Sequence, residues 1–408
     1  MLLVLVLCGA YVLSQFYRTS VGVIGPGLMA ELGLSAEALG ALGGVFFLIF
    51  AAAQLPAGVL LDRFGPRLIM PLFWLVAAGG AVIFALADTA TLLTLGRGVM
   101  GLGCATAYIG ALVLFSRWFS AERFPPMASL VMGVGLVGSL LATTPLALVA
   151  VALGWRGAFL AAAAVTVAVA ALVWLVVRDA PPGETFHGEH RQSLRQTVKG
   201  IGEVLTNRQL LLLLPLNTVS YAAVAALLGL WGVPYLHDVQ GLAIIDGAGV
   251  LLTLSLMIIA GTLSYGWIAP RIGSLKWMAV GGASALCLLF AVLALLPPTA
   301  PLGLYTLFAV IGLLSAYPII LVSHVRAVIP RRLLGRGLTL ANLFNFGGVG
   351  LVQVISGWIV GAWPAVDGAR PAAAYATLFW CLSAAIGIAL LFYLRTRNIA
   401  LRAEQKTD

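Results

Sequence analysis

The sequence predicts an all-α membrane protein with about twelve spanning helices in two related halves. Three observations carry that expectation. Of 408 residues, 62% are hydrophobic and only 9% charged, where a soluble domain carries about a quarter charged residues. Surface falls too slowly with size for a soluble fold to hide that much apolar area. Apolar runs of about 20 residues, the length that spans a bilayer, recur along the chain, and Lys and Arg gather in alternate gaps between them.

The runs fall at roughly 2–27, 38–61, 68–88, 91–115, 127–150, 157–178, 209–235, 244–268, 276–297, 301–325, 336–362 and 371–394. They are too long and too evenly apolar for barrel strands of about ten alternating residues. No small-residue cleavage site followed by a soluble domain comes after the first run, which reads as a retained helix rather than a signal peptide. With the even-numbered gaps and both termini in the cytoplasm, that side holds 19 of the 23 Lys and Arg, and the opposite face keeps only Arg156 and Arg370. This is the positive-inside pattern. The net charge of +9 is therefore a topology signal, and no basic soluble patch offers itself to nucleic acid. Short loops and an Ala- and Gly-rich chain point to a bacterial inner membrane.

Residues 1–178 form the expected N-terminal six-helix bundle, 209–396 the C-terminal one, and 397–408 a cytoplasmic tail. Between the bundles, 179–208 reads as a cytoplasmic linker, with Pro181, Pro182, Gly183, His187 and His190 and a short amphipathic piece around 191–205. The halves look related. Gly58-Val-Leu-Leu-Asp62-Arg63-Phe-Gly65-Pro-Arg67 recurs at an offset of 208 as Gly266-Trp-Ile-Ala-Pro270-Arg271-Ile-Gly273. Arg117-Trp-Phe-Ser-Ala-Glu-Arg123 matches Arg326-Ala-Val-Ile-Pro-Arg-Arg332 at 209. Duplicated parallel halves of this sort place a solute site between them, near the midplane.

Gly58 to Arg67 resembles the loop motif of the major facilitator superfamily, a tight turn between the second and third spans. Arg97-Gly-Val-Met-Gly101 with Gly103 is similar to that superfamily's second motif, and Gly133, Gly135, Gly138 and Pro145 to its third. The resemblance covers essentially the whole chain. It implies the superfamily's fold, a transporter working by rocker-switch alternating access, and no enzyme activity, cofactor or metal. The second copy of the loop motif departs from the pattern, with Pro270 where the acid would stand. In the family this loop stabilises the outward-facing state, which implies a conformational role for Gly58, Asp62, Arg63, Gly65, Arg67 and Arg117. Physically, Gly58 is expected to let two helices approach, Gly65 to permit a turn that a side chain would obstruct, and Asp62 to hold cations or a helix N-terminus.

The fourteen Asp and Glu all fall in gaps or near helix ends, whereas Arg18 and Arg97 lie inside the first and fourth spans. An ion within a membrane is expensive and marks function, and guanidinium binds carboxylate or phosphate in two-pronged fashion. With no acid in a helix centre, the counter-charge of Arg18 and Arg97 is either the solute or backbone carbonyls. A small organic anion is the expected solute. Further candidates for its site are Gln15 and Tyr17 beside Arg18; Tyr108; Asn217 and Tyr221; Tyr317 and His324; and Asn342 and Asn345. The four cysteines, Cys8, Cys104, Cys287 and Cys381, lie in apolar runs without paired spacing and read as small buried hydrophobes.

Gln54-Leu-Pro-Ala-Gly58 with Gly154-Trp-Arg156 resembles the sugar-phosphate and organic-anion permease branches of the superfamily. The phosphate-ester permeases are expected to carry a second arginine in the seventh span, and 209–235 has none. That leaves carboxylates, other anions and zwitterions. The coupling ion stays open, since no intramembrane carboxylate titrates; His324, substrate-borne protons, anion exchange and facilitated diffusion all remain. The alternatives are a multidrug exporter of the same fold and a non-transporting sensor or assembly factor. The expected partners are the small solute and the lipid bilayer, with the chain a monomer.

Overall fold

Long apolar segments become helices because, in hydrocarbon, every backbone polar group must be bonded within its own segment. The computed structural model describes residues 2–120, 122–181, 202, 204–330, 334–365 and 369–398. Among these, eleven helices are long and apolar enough to cross a membrane, and two further apolar helices are shorter. The expected amphipathic piece of the linker, His187 and His190, and the tail beyond 398 lie outside the described residues.

The first helices are α1 (Leu2–Thr19), α2 (Val21–Leu32), α3 (Ala36–Phe64), α4 (Pro66–Ala85), α5 (Ala90–Cys104), α6 (Ala107–Trp118), α7 (Phe124–Leu141) and α8 (Thr144–Val176). Next come α9 (Arg208–Ala226), a π-helical turn (Leu227–Trp231), α10 (Gly232–Asp238), α11 (Ile244–Ile272) and α12 (Leu275–Leu295). The last are α13 (Pro301–Leu314), α14 (Pro318–Val328), α15 (Leu334–Gly361) and α16 (Ala372–Tyr393).

Among the described residues four expected spans are split, 2–27, 91–115, 127–150 and 301–325, and 209–235 carries the π-turn. The run 2–27 breaks at Ser20, where the hydroxyls of Thr19 and Ser20 bond back to the carbonyls of Gln15 and Tyr17, a competition that bends helices. The run 127–150 breaks at Ala142–Thr143, just before Pro145, whose ring disfavours the helical conformation of the preceding residue and removes a donor. Helix α8 then leaves helical geometry at Gly154 (φ 70°, ψ 163°).

By packing, the chain divides into two units: Met1–Leu34 with Ala41–Gln196, and Ser35–Gly40 with Thr197–Asp408. Within the first, α1 packs along α7, and α4 lies against α5 and α8. Rings lock the latter pair, with Phe84 4.4 Å from Phe159 and 5.7 Å from Trp155 between centroids. Within the second, α9 packs along α15, α11 along α13, and α12 along α16. Small residues set the closest approaches. A Cβ on Gly135 or Gly138 would overlap the Tyr11 ring or the Val12 carbonyl of α1, and one on Gly101 would overlap the backbone of Phe46. Gly58 corrects an expectation: a Cβ there would meet nothing within 4 Å among the described residues, so its glycine is not required by helix contact.

The irregularities repeat. The break at Ser20 corresponds to Leu228 in the π-turn, the break at Ala105 to Ser315, and the turn at Gly65 to Gly273, offsets of 208, 210 and 208. Both turn glycines take positive φ, 81° and 70°. These three interruptions thus fall at equivalent places in the two units, whereas the break at Ala142–Thr143 has no counterpart, since α15 runs unbroken from Leu334 to Gly361.

Candidate functional site

The polar interior of the first unit centres on the end of α1. Arg18 and Arg97 are only 4% and 0% exposed. Their guanidinium carbons sit over two parallel rings of α3. Arg18 lies 4.5 Å from the Phe50 centroid and Arg97 4.6 Å from that of Phe46. The two rings are 6.2 Å apart at 8°. Phe46 and Phe50 share a helix face because they are four residues apart. The Tyr11 ring is also 5.8 Å from Arg18, and Tyr108 packs 5.2 Å from Tyr11. The ring faces supply the negative potential that a cation seeks in a dry setting.

Arg97 also donates through Nη1 to the Tyr17 carbonyl at 2.6 Å, while its Nε and Nη2 have no hydrogen-bond partner among the described residues. It thus serves a carbonyl beside the break in the first span. Tyr17 itself turns away, its hydroxyl paired with Thr166 of α8 at 2.8 Å. That pairing corrects the grouping of the Tyr17 side chain with Arg18, since the hydroxyl is committed to a neighbouring helix. Gln15 is buried, and its Oε1 has no hydrogen-bond partner among the described residues.

In the second unit several candidates are hydrogen-bonded, though the buried Nε2 of His324 has no hydrogen-bond partner among the described residues. Asn217 donates to the Ala341 carbonyl at 3.1 Å. Tyr317 donates to Ser220, which in turn donates to the Leu216 carbonyl. His324 Nδ1 lies 2.7 Å from the Tyr393 hydroxyl. Tyr221 meets Phe346 edge to face at 6.0 Å. Asn342 is exposed and Asn345 half-buried. The structure therefore gathers Arg18, Arg97 and Tyr108 around one cluster.

At the loop motif, Gly65 makes the turn and α4 starts with Pro66. The backbone N–H of Arg67 donates to Asp179 Oδ1 at 2.8 Å, so a carboxylate from beyond α8 caps α4. Arg117 reaches the Asp179 carbonyl at 3.5 Å, and Trp118 Nε1 donates to the Arg178 carbonyl at 3.0 Å. The Arg67 guanidinium lies 5.3 Å from the Trp174 ring. Asp62 is exposed and within electrostatic range of Arg117, and Arg63 lies against Phe64 at 5.1 Å. The opposite end of this unit carries a second clamp. Trp155 Nε1 donates to Glu31 Oε2 at 2.6 Å, Arg156 pairs with Glu31, and Arg156 Nη2 donates to the Ala87 carbonyl at 3.1 Å. The indole first, then Arg156, holds the Glu31 carboxyl below its usual range.

The sequence pattern describing the Major Facilitator Superfamily matches residues 7–352. The chain belongs to the major facilitator superfamily. The chain resembles several bacterial transporters over part of its length. It is 37% identical over 154 residues to a probable L-galactonate transporter of Escherichia coli (strain K12), covering 35% of this chain and 33% of that protein. It is 29% identical over 119 residues to the probable sulfoacetate transporter SauU of Cupriavidus necator, 29% of this chain and 28% of that one. It is 34% identical over 113 residues to the probable galactarate/D-glucarate transporter GudP of Bacillus subtilis, 26% of this chain and 25% of that one. The matched stretch thus spans a third or less of each relative's length. The superfamily fold is seen over nearly the whole chain. A bacterial homolog of the human lysosomal transporter Spinster has a TM-score of 0.75 at 17% identity, covering 97% of this chain and 96% of that one. The nucleoside transporter NupG has 0.76 at 14%, covering 97% and 100%. These two likenesses concern the fold alone.

Phe46, Phe50, Tyr11, Thr166 and Asp179 were not singled out by sequence reasoning. For the two Phe the available signal was their spacing of four on the span that carries the loop motif.

Proposed function

We propose that this superfamily member carries a small organic anion, a carboxylate of the sugar-acid kind, across a bacterial inner membrane by alternating access, with Arg18 as the anion-binding group. The observation that carries the reading is Arg18 itself, a guanidinium only 4% exposed in the last turn of α1, inside an expected span. Ions are retained at such depth for function, and a planar guanidinium matches a carboxylate two-pronged. The names of three relatives, for galactonate, sulfoacetate and galactarate or glucarate, are those of organic anions, which favours the same class here. Arg97 contributes positive potential while serving the Tyr17 carbonyl. The loop motif, with Asp62, Arg63, Gly65, Arg67 and Arg117, takes the conformational role.

The test is a thermal-shift and liposome-uptake panel on the purified chain with L-galactonate, D-glucarate, sulfoacetate, a hexose phosphate and neutral galactose. Ligands of the folded state raise apparent stability with occupancy. The expected result is stabilisation and uptake with a carboxylate and neither with galactose, both lost in Arg18→Gln and partly kept in Arg18→Lys. Stabilisation by neutral or cationic compounds, unchanged in Arg18→Gln, would overturn the reading.

A further inference from the structure

We infer that Phe50 is a positioning residue for Arg18, its ring face holding the guanidinium by a cation–π contact and so fixing where the N–H groups are presented. The inference rests on the reading of Arg18 as the anion-binding group. Its geometry comes from the first unit alone. Arg18 reaches the ring from α1, its guanidinium carbon 4.5 Å from the Phe50 centroid, inside the roughly 6 Å range of such contacts. One turn earlier on α3, Phe46 carries Arg97 from α5 in the same manner at 4.6 Å. Two rings four residues apart, parallel to 8°, thus each bear a guanidinium from a different helix. A single contact of this kind is ordinary packing. A matched pair on one helix face, both cations nearly water-free, is an arrangement.

The physical consequence concerns binding. Arginine has a long side chain with much rotamer freedom, and ordering it on capture of a ligand weakens affinity. A guanidinium held against a ring by electrostatic attraction to its face keeps its edge donors available, and the edge is where a carboxylate binds with two oxygens. Leucine at position 50 would fill similar space but has no negative face to offer. Pre-organisation by Phe50 therefore tightens binding and leaves the maximal rate nearly alone. The Tyr11 ring, 5.8 Å from Arg18, limits the guanidinium on a second side.

The experiment replaces Phe50 in the full chain with phenylalanine bearing one, two or three ring fluorines, which drain the ring face of negative potential at almost constant shape. Thermal stability is read without ligand, both in the native background and with Arg18→Met. Dissociation constant and maximal uptake rate are read with L-galactonate in the native background. Expected is a stepwise fall in Tm with fluorination that vanishes with Arg18→Met. The L-galactonate dissociation constant should rise in the same order, by about tenfold at three fluorines, the scale of one desolvated cation–π contact. The rate should stay within about twofold, and Phe50→Trp should bind at least as well as the native chain. A Tm series that is flat, or that falls equally with Arg18→Met, would reduce Phe50 to packing and overturn the inference. So would a dependent Tm series with unchanged L-galactonate affinity. If the native chain ignores L-galactonate while the Tm series falls only with Arg18 present, the sugar-acid reading loses its support and the hold of Phe50 on Arg18 keeps its own.

Discussion

Arg97 Nη1 donates a 2.6 Å hydrogen bond to the carbonyl of Tyr17, three residues before the first span breaks at Ser20. The equivalent residue at an offset of 208 is Ala225, whose carbonyl accepts from Gln353 Nε2 at 3.4 Å beside the π-turn. An interrupted helix leaves carbonyls without an N–H in sequence, and hydrocarbon offers no water to replace it. In the first unit a long polar side chain from another helix meets this, and in the second Gln353 reaches the carbonyl at the equivalent position.

Removing either donor should therefore lower stability. Arg97→Met leaves the Tyr17 carbonyl with the Ser20 hydroxyl as its side-chain donor among the described residues and is expected to cost about 1–3 kcal/mol, the penalty of an under-satisfied buried acceptor. Arg97→Lys, which keeps a donor, should cost less. Gln353→Leu should fall at the lower end, because its bond is long. Thermal unfolding in detergent measures all three, and an Arg97→Met protein as stable as the native one would free Arg97 for ligand binding alone.

The two turn glycines should behave differently despite their equivalence in the repeat. Gly65 has φ 81° and ψ 150°, a region open essentially to glycine, and a Cβ there would lie 2.6 Å from the Asp179 carboxylate. Gly65→Asn is expected to cost more than about 2 kcal/mol. Gly273, at φ 70° and ψ 5°, is in the left-handed helical region that Asn tolerates, with open space around it. Gly273→Asn should stay within about 0.5 kcal/mol, and comparing the two Tm values decides it.

Much of this architecture can be read from the chain because lipid makes its rules coarse. Long apolar runs, Arg18 and Arg97 stand out in any sequence of this composition. What surrounds the arginines does not. Phe46 and Phe50 look like any lipid-solvated apolar residue until the fold sets α1 and α5 beside them. Asp179 looks like one more loop charge, since the backbone it caps lies 112 residues away. Tyr17 sits next to Arg18 in sequence, yet its hydroxyl finds Thr166, 149 residues on. Chain breaks escaped for a related reason, because hydropathy does not register a serine bonding back to its own helix.

Gly58 and Gly138 differ in what surrounds them. Gly58→Ala places its methyl in open space within a helix and should be neutral or stabilise by up to about 1 kcal/mol. Gly138→Ala drives a methyl into the Val12 carbonyl of α1 and should destabilise by about 1–3 kcal/mol, as overpacking does. Equal Tm values for the two variants would refute the α1–α7 packing described.

Glu31 should give a pH signature. Its carboxyl is held below the usual range by Trp155 and Arg156. The folded-state value is lowered, so the stabilisation is present above the unfolded value, about 4.3, and is lost as pH falls through the folded one. Glu31 is 46% exposed, which keeps the effect below about 1 kcal/mol. The Tm gap between the native chain and Glu31→Gln should be open at pH 7 and close toward pH 3. A gap independent of pH would mean that the clamp acts through packing rather than charge.

Asp179 separates capping from charge. Its Oδ1 accepts the N–H of Arg67 at the second position of α4, while its carbonyl takes a bond from Arg117. Asp179→Ala removes the cap and should cost about 1 kcal/mol. Asp179→Asn keeps a side-chain oxygen for the cap and leaves the backbone carbonyl in place, so it should recover most of that loss. The carboxylate also favours the positive end of α4, and the remaining difference between Asn and Asp should shrink in high salt. Tm for the three proteins at low and high ionic strength would separate the two contributions. An Asp179→Asn variant as damaged as Asp179→Ala would assign the position to charge, and the loop between α3 and α4 would then be held by attraction to Asp179 rather than by a hydrogen-bonded cap.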